Sequence, residues 1–105
     1  MSPAEAWLRE HLADAPPRLL AEMIEAVATV ESAGVADALA EGAIALYARV
    51  LAGTGRREDA LPLLAADALM THALEAQAAT DLAGLAAFTE RWGAAGRLGE
   101  LAVET

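Results

Sequence analysis

The fold is decided by an alanine- and leucine-rich segment, Leu61-Pro62-Leu63-Leu64-Ala65-Ala66-Asp67-Ala68-Leu69-Met70-Thr71-His72-Ala73-Leu74-Glu75. Its apolar residues recur at the three- and four-residue spacing of an α-helix. One stripe contains Leu61, Leu64, Ala68, Thr71 and Leu74, while Leu63, Met70 and Ala73 lie off it. A helix that is apolar nearly all round is typically buried. We therefore predict a central, buried helix that is capped by Asp59 and ends near Ala79.

The rest of the chain also has the composition of a helical protein. Its 105 residues include 29 alanines and 16 leucines, whereas isoleucine and valine together number only seven. Alanine and leucine are strong helix formers, and β-branched residues favour strands. The sequence therefore predicts an all-α fold and, at this length, a single domain over residues 1–105.

Capping and breaking residues divide the chain into about five helices. Ser2-Pro3-Ala4-Glu5 is a capping box with proline at the first helical position, and Gly53-Thr54-Gly55 is the clearest loop. The helices are predicted at about Pro3–Asp14, Pro17–Ser32, Val35–Ala52, 60–79 and Leu82–Trp92, with room for a short last helix to about Val103. Because the connections are brief, we expect an antiparallel bundle. A mid-helix glycine costs roughly 1 kcal/mol against alanine, so Gly42 indicates close approach of a neighbouring backbone.

Charge and composition exclude several kinds of function. The chain carries 16 acids and 7 bases, a net charge of −9, and it has no cysteine and no lysine. Phosphate backbones and anionic lipids repel such a chain, so we expect no nucleic-acid partner. Without cysteine or lysine, thiol and Schiff-base catalysis are excluded. We find no uninterrupted apolar span of about 20 residues and no basic, then apolar, signal sequence, which predicts a cytoplasmic protein without a transmembrane segment.

Three polar residues in the central segment are the candidates for a site: Asp67, Thr71 and His72. A buried carboxylate is costly unless it is hydrogen-bonded or paired. We expect Asp67 to be buried and bonded to Thr71, to an arginine such as Arg49, or to a helix terminus. Contact with a ligand is the alternative for all three residues.

The sequence contains no complete catalytic or metal-binding motif, and we assign no catalytic residue, metal or cofactor. Asp67, His72 and Glu75 could supply a mixed nitrogen and oxygen ligand set, but His72-Ala73-Leu74-Glu75 reverses the ExxH order of di-iron bundles. Arg56-Arg57 follows a glycine-containing loop in the manner of an anion-binding loop. Since the phosphate-binding lysine is lacking, we interpret these arginines as solvated and paired with nearby acids.

Leftover apolar surface is the main functional signal. A chain of this size buries only about two-thirds of its unfolded surface, and the central helix is apolar on more than one side. We therefore predict a non-enzymatic interaction module that forms a homodimer or binds a protein partner. The alternative is a binder of an apolar small molecule such as an isoprenoid or lipid. The residues expected to line the interface or pocket are Leu64, Met70, Leu74, Phe88 and Trp92.

The central segment resembles a stretch of the all-α trans-isoprenyl diphosphate synthases, in which Ala-Gly-Asp-x-Leu opens an inner helix. Trp92-Gly93-Ala94-Ala95-Gly96-Arg97-Leu98-Gly99-Glu100-Leu101 is similar to a glycine-spaced run further along that family. The resemblance covers about 40 residues and lacks the DDxxD motif that binds magnesium and diphosphate. It implies a helical-bundle architecture and, for function, a non-catalytic remnant or accessory subunit.

Overall fold

The computed structural model describes residues 1–31, 34–53 and 55–104. Within these ranges the chain forms six α-helices and no strand, which confirms the all-α prediction. The helices are α1 (Pro3–His11), α2 (Pro17–Val27), α3 (Val35–Ala52), α4 (Ala60–Thr80), α5 (Leu85–Trp92) and α6 (Arg97–Glu104), with 3-10 turns at Arg57–Asp59 and Leu82–Gly84. In this part of the chain no helix has the length and apolar character needed to cross a membrane.

Helices α3 and α4 form the centre of the bundle and run antiparallel. Gly42 of α3 faces Leu69 of α4, and further along α3 the Tyr47 hydroxyl bonds to Asp67, an earlier residue of α4. Helix α4 also packs against α2 and α5. The prediction that this helix is the central element is therefore confirmed.

Gly42 lies where three helices come close together. A Cβ atom at this position would lie 2.9 Å from Cγ1 of Val27 and 3.4 Å from Cδ1 of Leu69. The main-chain oxygen of Ala26 is 3.5 Å away. The tight approach at Gly42 is therefore made by side chains of α2 and α4, and not by a neighbouring backbone as predicted.

The inward face of α4 differs from the predicted stripe. The face that packs on the bundle is made of small residues and one leucine, namely Pro62, Ala65, Ala66, Leu69, Ala73 and Ala76. Leu64 and Thr71, which belong to the predicted stripe, are exposed. The alanine face is inward because alanines let helix axes approach closely, so the helix is central without being buried all round.

Two helices end earlier than their apolar patterns predict. Helix α1 ends at His11 rather than Asp14, and its cap is Leu12. Helix α2 ends at Val27, after which Ala28 and Val30 donate i→i−3 hydrogen bonds at 3.3 and 3.2 Å. Valine and threonine lose side-chain freedom in a helix, which explains the early end at Val27-Ala28-Thr29-Val30. The predicted end at Ser32 and the loop residue Thr54 lie outside the described residues.

Candidate functional site

Asp67 lies on the outward face of α4, so the expectation of a buried carboxylate is wrong. Its Oδ1 accepts a hydrogen bond from the Tyr47 hydroxyl of α3. Thr71 Oγ1 donates to the main-chain oxygen of Asp67 at 2.9 Å and not to the carboxylate. Arg49, another predicted partner, pairs with Glu22 of α2. Asp67 therefore joins α3 to α4 at the surface.

Tyr47 has a strongly altered ionisation because of this position. Burial of the phenol, then its hydrogen bond to Asp67, and then the negative charge of that carboxylate, raise the pKa of Tyr47 far above its usual value. All three effects disfavour the phenolate. Tyr47 is therefore a neutral hydrogen-bond donor at physiological pH.

His72 is half-buried beside an aromatic residue of α1. The centroids of the Trp7 and His72 rings are 5.8 Å apart, and the ring planes make an angle of 58°. The ring of His11 stacks on Trp7, with a centroid distance of 4.0 Å. His72 Nδ1 is buried without a hydrogen bond in the described part of the chain. Glu75 Oε2 approaches it to 3.5 Å, which is a weak contact since the Glu75 side chain is largely exposed.

The trio Asp67, His72 and Glu75 is not brought together as a metal site. His72 and Glu75 are neighbours one turn apart, whereas the Asp67 carboxylate is bonded to Tyr47. Across the described ranges no group of three histidine, aspartate or glutamate side chains lies in a position to hold a metal ion.

The five residues predicted to line an interface or pocket are spread over the bundle. Phe88 and Trp92 are buried in the core, and Met70 and Leu74 pack against it. Leu64 is 60% exposed near the start of α4. The helical rise of 1.5 Å per residue separates Leu64 from Leu74 by about 15 Å. Only Leu64 is thus freely available for an interaction.

A groove at one end of the bundle contains basic residues that the sequence analysis did not bring together. This arginine groove has a volume of about 580 Å³ and is formed by the start of α2, the end of α3 and the start of α4. Its lining is Arg18, Glu22, Arg49, Arg57, Glu58, Ala60, Leu61, Pro62 and Leu64. An antiparallel bundle places these three helix termini at the same end, and that is the signal which could have found the groove.

The arginines at this end differ in whether they are paired. Arg49 pairs with Glu22. Arg18, Arg56 and Arg57 are exposed, and among the described residues their side chains form no ion pair or hydrogen bond. The arginines at 56–57 are therefore solvated as predicted, but their predicted pairing with nearby acids is wrong.

Asp59, the predicted side-chain cap of α4, has a different role in the same loop. Its carboxylate accepts a hydrogen bond from the main-chain N–H of Gly55 at 2.8 Å, and it makes no capping bond to α4. Asp59 therefore closes the loop between α3 and α4.

Three exposed leucines at this end form what we call the leucine corner: Leu51 and Leu63, which do not line the groove, and Leu64, which does. They are 47%, 42% and 60% exposed. Leu51 is in the last turn of α3, and the other two are in the first turns of α4. The α3–α4 register that pairs Gly42 with Leu69 and Tyr47 with Asp67 places Leu51 level with this start of α4.

No family model, no curated protein and no solved structure matches the chain.

Proposed function

We propose that this chain is a non-enzymatic interaction module of the cytoplasm that forms a homodimer through the leucine corner. The observation that carries the proposal is the exposure of Leu51, Leu63 and Leu64 at one corner of the bundle. Singly exposed leucines are ordinary, whereas grouped ones mark association surfaces. A two-fold dimer would bring the same corner of each copy together.

The size of the corner sets the expected strength of the dimer. Burying a leucine completely is worth about 1.5–3 kcal/mol, and these leucines are about half exposed before association. Six half-exposed leucines across a two-fold axis would contribute roughly 4–9 kcal/mol, which is close to the lower part of the cost of lost translational and rotational freedom, about 4–15 kcal/mol. We therefore expect a weak dimer that dissociates on dilution.

Sedimentation velocity over a dilution series tests the proposal. Wild type is expected to shift from dimer to monomer as concentration falls, and the Leu51→Gln/Leu63→Gln variant to stay monomeric throughout. Leu82→Gln is the matched control, because Leu82 is 69% exposed but follows the other end of α4. About 24 Å of helix separate Leu64 from Thr80. A wild type that is monomeric at every concentration, or a control that is equally impaired, would overturn the proposal.

The second candidate function, a binder of an apolar molecule such as an isoprenoid or lipid, has one supporting observation. His72 lies beside Trp7, and its buried Nδ1 makes no hydrogen bond, with Glu75 Oε2 3.5 Å away. This ring is the polar contact proposed for the ligand. Kinship with the all-α isoprenyl diphosphate synthases is the accompanying hypothesis. Titration with a fluorescent isoprenoid alcohol tests this function, with His72→Phe expected to weaken binding. Absence of saturable binding would remove it.

A further inference from the structure

We infer that the arginine groove binds an acidic, leucine-containing helical segment of a partner protein. This inference goes beyond self-association and concerns an adjoining surface, which shares Leu64 with the leucine corner. It rests on unpaired positive charge around an apolar floor, in a groove that is open to solvent.

The charge at the groove is opposite to that of the chain. The protein has a net charge of −9, yet four of its seven arginines, at 18, 49, 56 and 57, are at this end. Arg18 and Arg57 line the groove and have no acidic partner in the described ranges. Glu58 is the one acid of the lining outside the Arg49–Glu22 pair. An anionic occupant would therefore meet two guanidinium groups that form no ion pair, in a lining whose three arginines outnumber its two glutamates, with Arg56 next to them.

The floor of the groove is apolar. Leu61 and Pro62 are partly or fully buried, and Leu64 is largely exposed. Apolar side chains of an occupant would cover Leu64, while its carboxylates reach the arginines at the rim. Complementary charge around an apolar centre is the usual arrangement of a specific protein interface.

The shape of the groove favours a peptide segment over a small molecule. Small-molecule sites bury about 70–90% of their ligand. Of the residues that line this groove, only Pro62 is buried, so a ligand lying in it would remain open to solvent. A helical segment gains affinity from several shallow contacts along its length, as in other helix-in-groove interactions.

Fluorescence anisotropy with a labelled synthetic peptide tests the inference. The probe is a helix-forming peptide with leucines and glutamates on one face, and its control has glutamine in place of every glutamate. We expect saturable binding of the acidic probe, weakened on the order of tenfold when salt rises from low to physiological concentration. Arg18→Glu/Arg57→Glu should weaken binding by about tenfold or more. Arg9→Glu changes the charge of a surface arginine on α1 and should have little effect on binding.

Several results would overturn the inference. These are no binding of the acidic probe, equal binding of the glutamine peptide, and binding that the double variant leaves unchanged while circular dichroism shows it folded. Displacement of the probe by dodecanoate, with direct dodecanoate binding, would assign the groove to a small amphiphile instead. Displacement of the probe by excess Arg18→Glu/Arg57→Glu protein, which binds the probe weakly itself, would assign the groove to a second copy.

The same titrations are repeated with Leu51→Gln/Leu63→Gln, because neither leucine lines the groove. Probe binding by this variant and by a strictly monomeric wild type would contradict the homodimer and leave the groove inference intact. If wild type forms the dimer but does not bind the probe, the groove inference is contradicted and the homodimer proposal stands.

Discussion

The two ends of the bundle contain similar residues, but their arginines are mostly paired at one end and mostly unpaired at the other. At the closed end, where α3 begins, Arg97 pairs with Glu41 at 3.2 Å and Arg91 lies 3.4 Å from Asp37. Trp92 Nε1 donates to Asp37 at 3.0 Å. At the open end, about 18 Å along α3, the arginine groove and the leucine corner have unpaired cations and exposed leucines.

The difference shows at which end the charged and apolar side chains find partners within the chain. Arginines of the closed end also cover the core aromatics, since Arg97 lies 5.6 Å from the Trp92 ring and Arg91 lies 5.8 Å from Phe88. Such contacts add stability and hide apolar surface. At the open end Arg49 pairs with Glu22, whereas the side chains of Arg18, Arg56 and Arg57 have no partner among the described residues and three leucines stay exposed. This contrast is the basis for placing the interaction surfaces there.

The largest expected effect comes from deleting a core side chain at the closed end. Phe88 is fully buried, so Phe88→Ala should lower the free energy of unfolding by about 3–5 kcal/mol. Leu63→Ala at the open end, where the side chain is 42% exposed, should lower it by at most about 1 kcal/mol. Urea denaturation measures both. Comparable losses for the two variants would contradict the distinction between the ends.

A smaller effect is expected at Gly42, midway between the ends. The Cβ of Gly42→Ala would press on the buried, stiff side chain of Val27 at 2.9 Å. Overpacking of about 1–3 kcal/mol should exceed the gain in helix propensity of about 1 kcal/mol. Thermal denaturation should therefore show a lower melting temperature. Gly34→Ala is the control, because no atom lies within 4 Å of its added Cβ, and an equal loss there would exclude a packing cause.

Replacing an arginine of the closed end should lower the free energy of unfolding modestly more than replacing one of the open end. Arg97→Gln removes the pair with Glu41 and the contact with Trp92, which should cost about 0.5–1 kcal/mol in urea denaturation. Arg57→Gln removes no internal partner in the described ranges and should leave stability within about 0.3 kcal/mol. A stability loss in Arg57→Gln, with none in Arg97→Gln, would contradict the distinction between the two ends.

The smallest expected effect on stability at neutral pH is at Tyr47, which lies between the two ends where α3 contacts α4. Tyr47 is the only tyrosine, so absorbance of its phenolate during alkaline titration reports its pKa directly. We expect a midpoint well above the usual value of about 10. Asp67→Asn should lower this pKa, yet keep it above 10, because burial is the larger cause. A wild-type midpoint near 10 would contradict the buried, bonded phenol.

The raised pKa of Tyr47 also fixes the sign of a stability change with pH. Below about pH 10 the phenol is neutral in both the folded and the unfolded chain, and its contribution to stability is complete. At higher pH the unfolded chain ionises first, so the free energy of unfolding should fall as pH rises toward the pKa of the folded state. Tyr47→Phe should lose this dependence in urea denaturation curves measured across the same pH range.

Local signals predicted much of the fold. The limits of α3, Val35–Ala52, agree with the predicted helix because glycines flank it, and Ser2 accepts from the Glu5 N–H at 3.1 Å as its capping box predicts. The inward face of α4 could not be predicted, since periodicity does not choose between two apolar stripes in an alanine–leucine helix. Packing against Gly42 decides that choice.

The candidate surfaces were harder to predict from the sequence, because they too depend on how the helices pack. Arg18, Arg49 and Arg57 come from three separate segments, and only the antiparallel arrangement brings them to one groove. Asp67 was expected to be buried because its neighbours are apolar, but it falls on the outward face. The partner of its carboxylate, Tyr47, comes from another helix.

Amide NMR spectra recorded over a dilution series test the central claim most directly. If the open end is the association surface, resonances of residues 49–53 and 60–64 should shift with concentration, while those of α5 and the start of α3 stay constant. Shifts centred on Asp37, Glu41 and Trp92, or spectra that are identical at every concentration, would contradict the account.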